Sequence, residues 1–207
     1  MAEPPVRIYL TGRLALEAQG TPLDARLLPG LQGRRAFAYL VIERAHPVPY
    51  AALADAVWGD DRPEAWDTAL SAVVSKIRRF LGGLPHSPAT VDSAFGCYAL
   101  QLPRDTWVDA EAALAAVDAA EGALRRGDAQ TAWTSAAVAN AIARRPFLPG
   151  EEGAWIEARR SRLRDVLLRA LDCLADASLR TGGGALAVAL ASEAISLARS
   201  GSPPTSG

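Results

Sequence analysis

A chain of 207 residues with 22 basic and 23 acidic side chains is nearly neutral, so no global charge announces a nucleic-acid or membrane partner. Half of the residues are apolar and 22% are charged, which excludes a disordered polymer and leaves room for two small domains, each with its own core. No apolar run reaches the roughly 18 residues that span a bilayer, and Met1–Pro5 lacks the blocks of a secretion signal, so a cytoplasmic protein is expected.

Val6, Ile8 and Leu10, then Leu14 and Leu16, alternate with other residues as in half-buried strands, with turns at Thr11–Arg13 and Gln19–Pro22. They predict a small antiparallel sheet. Phe37, Leu40 and Val41 have helical spacing, which predicts a helix over 34–44 that His46–Pro49 stops. A second helix is predicted over 50–58, carrying Leu53, Val57 and Trp58 and ending at Gly59. A third starts near Pro63–Glu64, because proline and an acid both suit a first helical turn, and runs to Leu81 before Gly82–Gly83. Gly96 between Thr90–Val91 and Cys97–Leu100 predicts a hairpin.

From Val108 onward the chain reads as alanine-rich helices over about 109–126, 130–144, 152–180 and 185–199, broken at Gly127–Asp128, Arg145–Gly150 and Thr181–Gly184. Paired helices with glycine turns suggest stacked hairpins of the tetratricopeptide kind, although no full consensus repeat is present. The tail over 200–207 is rich in Ser, Pro and Gly and is expected to be disordered.

The third helix carries the chemistry. Trp66, Leu70, Val73, Val74, Ile77, Phe80 and Leu81 follow the spacing of a buried face. Thr68, Ser71, Ala72, Ser75, Lys76 and Arg79 fall opposite, with Arg78 adding charge at the same end. Short side chains permit close approach to a groove, and basic ones reach phosphates or guanine edges. An ordinary amphipathic helix with a solvated basic end has the same periodicity, so context must decide.

That context is Leu53-Ala54-Asp55-Ala56-Val57-Trp58-Gly59-Asp60 followed by Ala69-Leu70-Ser71-Ala72-Val73-Val74-Ser75-Lys76-Ile77-Arg78-Arg79-Phe80-Leu81. Together they resemble the Streptomyces antibiotic regulatory protein (SARP) family over about 6–199. The resemblance implies an α+β chain: an OmpR-like winged-helix DNA-binding domain with an N-terminal antiparallel sheet over 1–104, and an all-α bacterial transcriptional activation domain over 105–199. It further implies sequence-specific binding to double-stranded DNA, transcriptional activation, recruitment of RNA polymerase and a homodimer. By position, Thr68, Ser75 and Lys76 fall where such helices face bases or phosphates, Arg78 falls at a backbone-binding arginine, and Arg34 and Arg35 are candidate phosphate contacts. Two departures stand out: Cys97 precedes Tyr98 where related wings have glycine, and the helical domain is shorter than a third helical pair would make it. An apolar face left uncovered there would favour self-association.

Other conspicuous residues read blandly. Cys97 and Cys173 lack metal or disulfide spacing and read as small buried hydrophobes, and His46 and His86 as solvated loop histidines. Gly182–Gly184 follows a helix and lacks the Lys-Ser/Thr of a phosphate loop, and no nucleophile elbow is present, so no enzyme, cofactor or metal is expected. Trp133 and Trp155 read as core rather than an effector pocket, and the basic run 159–164, bracketed by Glu157 and Asp165, as a solvated face. A rival reading is an interaction or effector-sensing adaptor whose winged helix has lost DNA affinity, motivated by the neutral first half and the shortened helical domain.

Overall fold

The computed structural model describes residues 6–23, 28, 30–84 and 89–200 and divides the chain into two compact units. His86, Met1–Pro5 and the tail from 201 onward lie outside the described residues. The first unit comprises Met1–Val108 and Leu148–Ala158, the second Asp109–Phe147 and Arg159–Gly207. The segment 148–158 thus returns to the N-terminal unit, which a single cut at 104/105 does not describe.

In the first unit, β1 (Val6–Tyr9) pairs antiparallel with β2 (Ala15–Ala18), placing Arg7 opposite Glu17 and Ile8 opposite Leu16. The period of two puts Val6, Ile8, Leu16 and Ala18 in the core, each at most 1% exposed. Two further strands complete this sheet. β3 (Thr21–Leu23) pairs with β2 where a turn was expected. In chain order the last strand, Trp107–Val108, pairs parallel with Arg7–Ile8, so the sheet is mixed rather than purely antiparallel. Two residues are too few to show alternation, and the Tyr9 and Trp107 rings meet edge to face at 5.4 Å.

Helix α1 (Gly30–Ile42) begins four residues earlier than its apolar pattern suggests and buries Ala36, Phe37, Leu40 and Val41 completely. β4 (Val48–Pro49) leads directly into α2 (Tyr50–Trp58), which Gly59 ends at a φ of 57°. A 3-10 turn, Gly59–Asp61, follows, and α3 (Trp66–Leu81) starts three residues after Pro63. Asp67, not Glu64, is therefore the acid of its first turn. Arg62 explains the delay in part: it pairs with Asp55 and lies over the Trp66 ring, 5.0 Å from its centre, holding the chain outside the helix. β5 (Thr90–Ala94) and β6 (Cys97–Gln101) form the expected hairpin, and β4 adds to β6 to give a three-stranded sheet in the order β4-β6-β5. Trp107–Val108, already described, is β7. Pro49 sits at the end of an edge strand, where its missing N–H is harmless.

The second unit is all-α: α4 (Asp109–Arg125), α5 (Ala129–Ala143), the body of α6 (Ala154–Arg180) and α7 (Gly184–Ser200). Its core is built on alanine: Ala120 and Ala136 with Cys173 and Leu174, and Ala123 and Ala132 with Ala177. Small side chains at spacings of three and four let helix backbones approach closely, and Trp133 and Leu124 fill the gaps. Both hairpins turn in the same way. After α4, Asp128 N–H donates to the Ala123 carbonyl and Gly127 N–H to that of Leu124. After α6, Gly183 N–H donates to Ser178 and Gly182 N–H to Leu179. These are paired six-to-one and five-to-two bonds around a left-handed glycine, with Gly127 at φ 79° and Gly182 at 84°. None of the described helices is long and apolar enough to cross a membrane.

Candidate nucleic-acid interface

Helix α3 is held by one face and open on the other. Leu70, Val73, Val74, Ile77, Phe80 and Leu81 are buried, and Phe80 meets Phe37 of α1 edge to face at 5.9 Å. Trp66, expected on this face, is only half-buried, because it carries the Arg62 guanidinium. Since the helical period commits every third or fourth residue inward, Thr68, Ser71, Ala72, Ser75, Lys76 and Arg79 are all exposed. Among the described residues neither Lys76 nor Arg79 enters an ion pair. The result is a strip of small side chains with two unneutralised cations toward its C-terminal end, where they also suit the helix dipole.

Arg78 stands apart from that strip. It is half-buried and its Nε–H donates to the Val91 carbonyl at 2.6 Å, fastening β5 to α3. The β5–β6 hairpin is tied again at Tyr50, the first residue of α2. The Tyr50 N–H donates to Gly96 O at 2.9 Å, and its hydroxyl shares a 2.6 Å hydrogen bond with Ser93. Its ring lies 4.3 Å from that of Tyr98. Burial, reinforced by Tyr50 and opposed by Arg78, pushes the Tyr98 phenol above its ordinary value, so it stays neutral at physiological pH. At the hairpin tip Phe95 is fully exposed.

Arg34 and Arg35 do not join this surface as unattached cations. Arg34 Nε is 2.8 Å and Arg35 Nε 3.1 Å from the two carboxylate oxygens of Glu151, which is 3% exposed, and an Arg35 Nη donates to Val57 O. Their geometry is that of a clamp on the returning segment 148–158. The pairing spans more than a hundred residues, and nothing local in the sequence signals it.

Several other side chains differ from the sequence reading. Trp155 belongs to the N-terminal unit, where its Nε1–H donates to Ala56 O at 2.9 Å and its ring meets Tyr39 at 5.2 Å. Trp133 packs against the alanine core as expected. Cys173 is buried, but Cys97 is partly exposed on β6. Tyr50 and Phe95 were missed as candidates; for Phe95 the available signal was a bulky residue directly before the hairpin glycine.

The chain matches no protein-family model and no curated protein. Among solved structures it is similar to EmbR from Mycobacterium tuberculosis, there in complex with a low-affinity phosphopeptide, with a TM-score of 0.81 and 26% identity. The match covers 95% of this chain and 51% of that one, so the chain spans about half the length of the EmbR chain it resembles. The likeness takes in both the sheet-and-helix fold and the all-α region.

Proposed function

We propose that the chain is a sequence-specific DNA-binding transcription regulator of the SARP type, with α3 lying in the major groove of double-stranded DNA. One observation carries this reading: the exposed strip Thr68, Ser71, Ala72, Ser75, Lys76 and Arg79, anchored by a buried opposite face. Small residues admit the helix to base edges, and the two cations meet phosphate or guanine. Arg78 contributes mainly by holding the hairpin and Arg34 and Arg35 by holding Glu151, so the charge that touches DNA is assigned to Lys76 and Arg79. The all-α unit serves as the activation domain, with RNA polymerase and a second copy of the chain as partners, in the cytoplasm.

The test is selection of bound duplexes from fragmented genomic DNA by the purified chain at about 0.15 M salt, where non-specific attraction is weakened. Enrichment of one short motif is expected. On the enriched duplex, Lys76→Ala and Arg79→Ala are each expected to weaken binding by roughly tenfold, and a side chain that touches phosphate lowers the salt slope by about one. If folded protein enriches nothing, the adaptor reading takes its place.

A further inference from the structure

An open cleft of about 730 Å³ lies where the returning segment meets α1, α2 and the 3-10 turn of the first unit, a size within the roughly 300–1,000 Å³ of small-molecule sites. Its apolar lining is aromatic: Tyr39 of α1, Trp58 at the end of α2 and Trp155 of the returning segment, each only half-buried. Tyr39 and Trp155 meet edge to face, and the Trp155 N–H is committed to Ala56 O, so these two rings are fixed in place. Four carboxylates, Asp55, Asp60, Asp61 and Glu152, line the cleft against one guanidinium, Arg35. Arg35 is occupied by Glu151 and Val57 O, and Asp55 by Arg62. Among the described residues the exposed Asp60, Asp61 and Glu152 enter no ion pair.

Aromatic rings beside uncompensated carboxylates select a cation with an apolar body, because a ring face attracts positive charge and a carboxylate accepts from its N–H groups. The placement of the charge narrows the class further. Asp60 and Asp61 stand on the turn after α2 and Glu152 on the returning segment, so the negative charge comes from two separate pieces of chain. Among the described residues no three acid, histidine or cysteine side chains lie close enough together to hold a metal ion, so this charge is spread along the cleft and does not gather at a point. The N-terminus of α6 at Ala154 opposes a cation with about half a charge, which Glu152 beside it offsets. We propose that the cleft binds an aliphatic diamine or polyamine, with one ammonium at Asp60 and Asp61, another at Glu152, and the methylene chain laid on Tyr39, Trp58 and Trp155. The site is built from the first unit alone and does not depend on what α3 binds.

The experiment titrates the full chain, without DNA, by calorimetry and tryptophan fluorescence with a series from 1,3-diaminopropane to 1,8-diaminooctane, and with spermidine, butylamine and Mg²⁺. One ligand per chain is expected, with affinity peaking at one diamine length and butylamine about tenfold weaker, because it meets a single group of carboxylates. Mg²⁺ at equal concentration should not displace the best diamine. Glu152→Gln should weaken that diamine about 3- to 10-fold, leave butylamine unchanged and flatten the length preference. Trp58→Leu, which keeps apolar bulk and removes the ring, should weaken every amine about 3- to 30-fold. Urea unfolding accompanies each variant, and Glu152→Gln, at an exposed position, should keep the wild-type midpoint. Butylamine binding as well as the diamines, a series with no preferred length, or Mg²⁺ competing on equal terms would reduce the cleft to a diffuse acidic surface and overturn the proposal. Unchanged diamine binding in Glu152→Gln would overturn it too. With no DNA present, each of these outcomes leaves the reading of α3 untouched, and failure of the duplex selection leaves the amine site standing.

Discussion

At position 78 a guanidinium is committed to a backbone carbonyl while standing on a helix whose outer face carries Lys76 and Arg79. Lysine cannot reproduce that planar Nε–H contact. Arg78→Lys and Arg78→Ala are therefore both expected to lower stability by about 1 kcal/mol, toward the low end for a charge-assisted bond because the side chain is half-exposed. Urea unfolding reads this directly, and a DNA-binding defect without any stability loss would contradict the fastening role. The two cysteines differ in the same residue-level way. Burial foremost, then the nearby Glu121 and Asp172 carboxylates, pushes the Cys173 thiol up to about 11, so it is neutral and sheltered at pH 8. A thiol reagent at that pH should label Cys97 in the native protein and Cys173 only as the helical unit unfolds. The outward positions of α3 were legible because a period of 3.6 encodes them, whereas the partner of Arg78 lies on another element and has no periodic trace.

Among the elements, the helical hairpins were the most legible and the short strands the least. Gly127 and Gly182 mark their turns because only glycine takes the left-handed conformation there without a Cβ penalty. No atom lies within 4 Å of where a Cβ would sit on either residue, so Gly127→Ala and Gly182→Ala should each cost about 1–2 kcal/mol through backbone conformation alone. A drop in urea midpoint with unchanged slope is the expected reading. Asp128 caps α5 by accepting from Thr131 N–H, and hydrogen bonding to the Thr131 side chain first, then to that N–H, holds its carboxyl below the usual aspartate value. Glu121 is lowered likewise by its hydrogen bond to Arg169, Asp176 by Arg180 and Glu193 by Arg144. Each of these carboxylates binds its proton less readily folded than unfolded. Their contribution is complete above the unfolded values of about 4 and is lost as the pH falls through the lower folded ones. Helicity of this unit should therefore hold from neutral pH to about pH 5 and its melting temperature decline below that; a flat profile to pH 2 would remove these pairs from the account. β4 and β7, by contrast, have two residues each, too few for alternation to show, and both exist because a longer strand offers an open edge.

For the whole molecule, the decisive feature is that the N-terminal unit is assembled from two stretches of chain. Leu148 N–H donates to Leu10 O, Glu151 takes both Arg34 and Arg35, and Trp155 reaches Ala56 and Tyr39. A sequence boundary at 104/105 misses this because the partners are separated by 116 and 117 positions and share no local pattern. Glu151→Ala leaves two guanidiniums facing a vacated site and should destabilise the unit by about 2–4 kcal/mol, less than a fully buried pair because Arg34 is open to water. A fragment ending at Val108 should be less stable still and bind 8-anilinonaphthalene sulfonate, while one ending beyond Ala158 should not.

Translation meets this arrangement in a fixed order. The ribosome releases the two sheets and the three helices of the first unit before the about 40 residues that precede its last piece, and at about 5–20 residues per second that interval lasts roughly 2–8 s. Through those seconds the nascent unit lacks Trp155 and Glu151, leaving Tyr39 and the paired arginines uncovered, while α4 and α5 can close their own glycine turn as soon as they emerge. The second unit thus begins before the first can finish, and α3 gains the complete support of its unit only when the chain has passed Ala158.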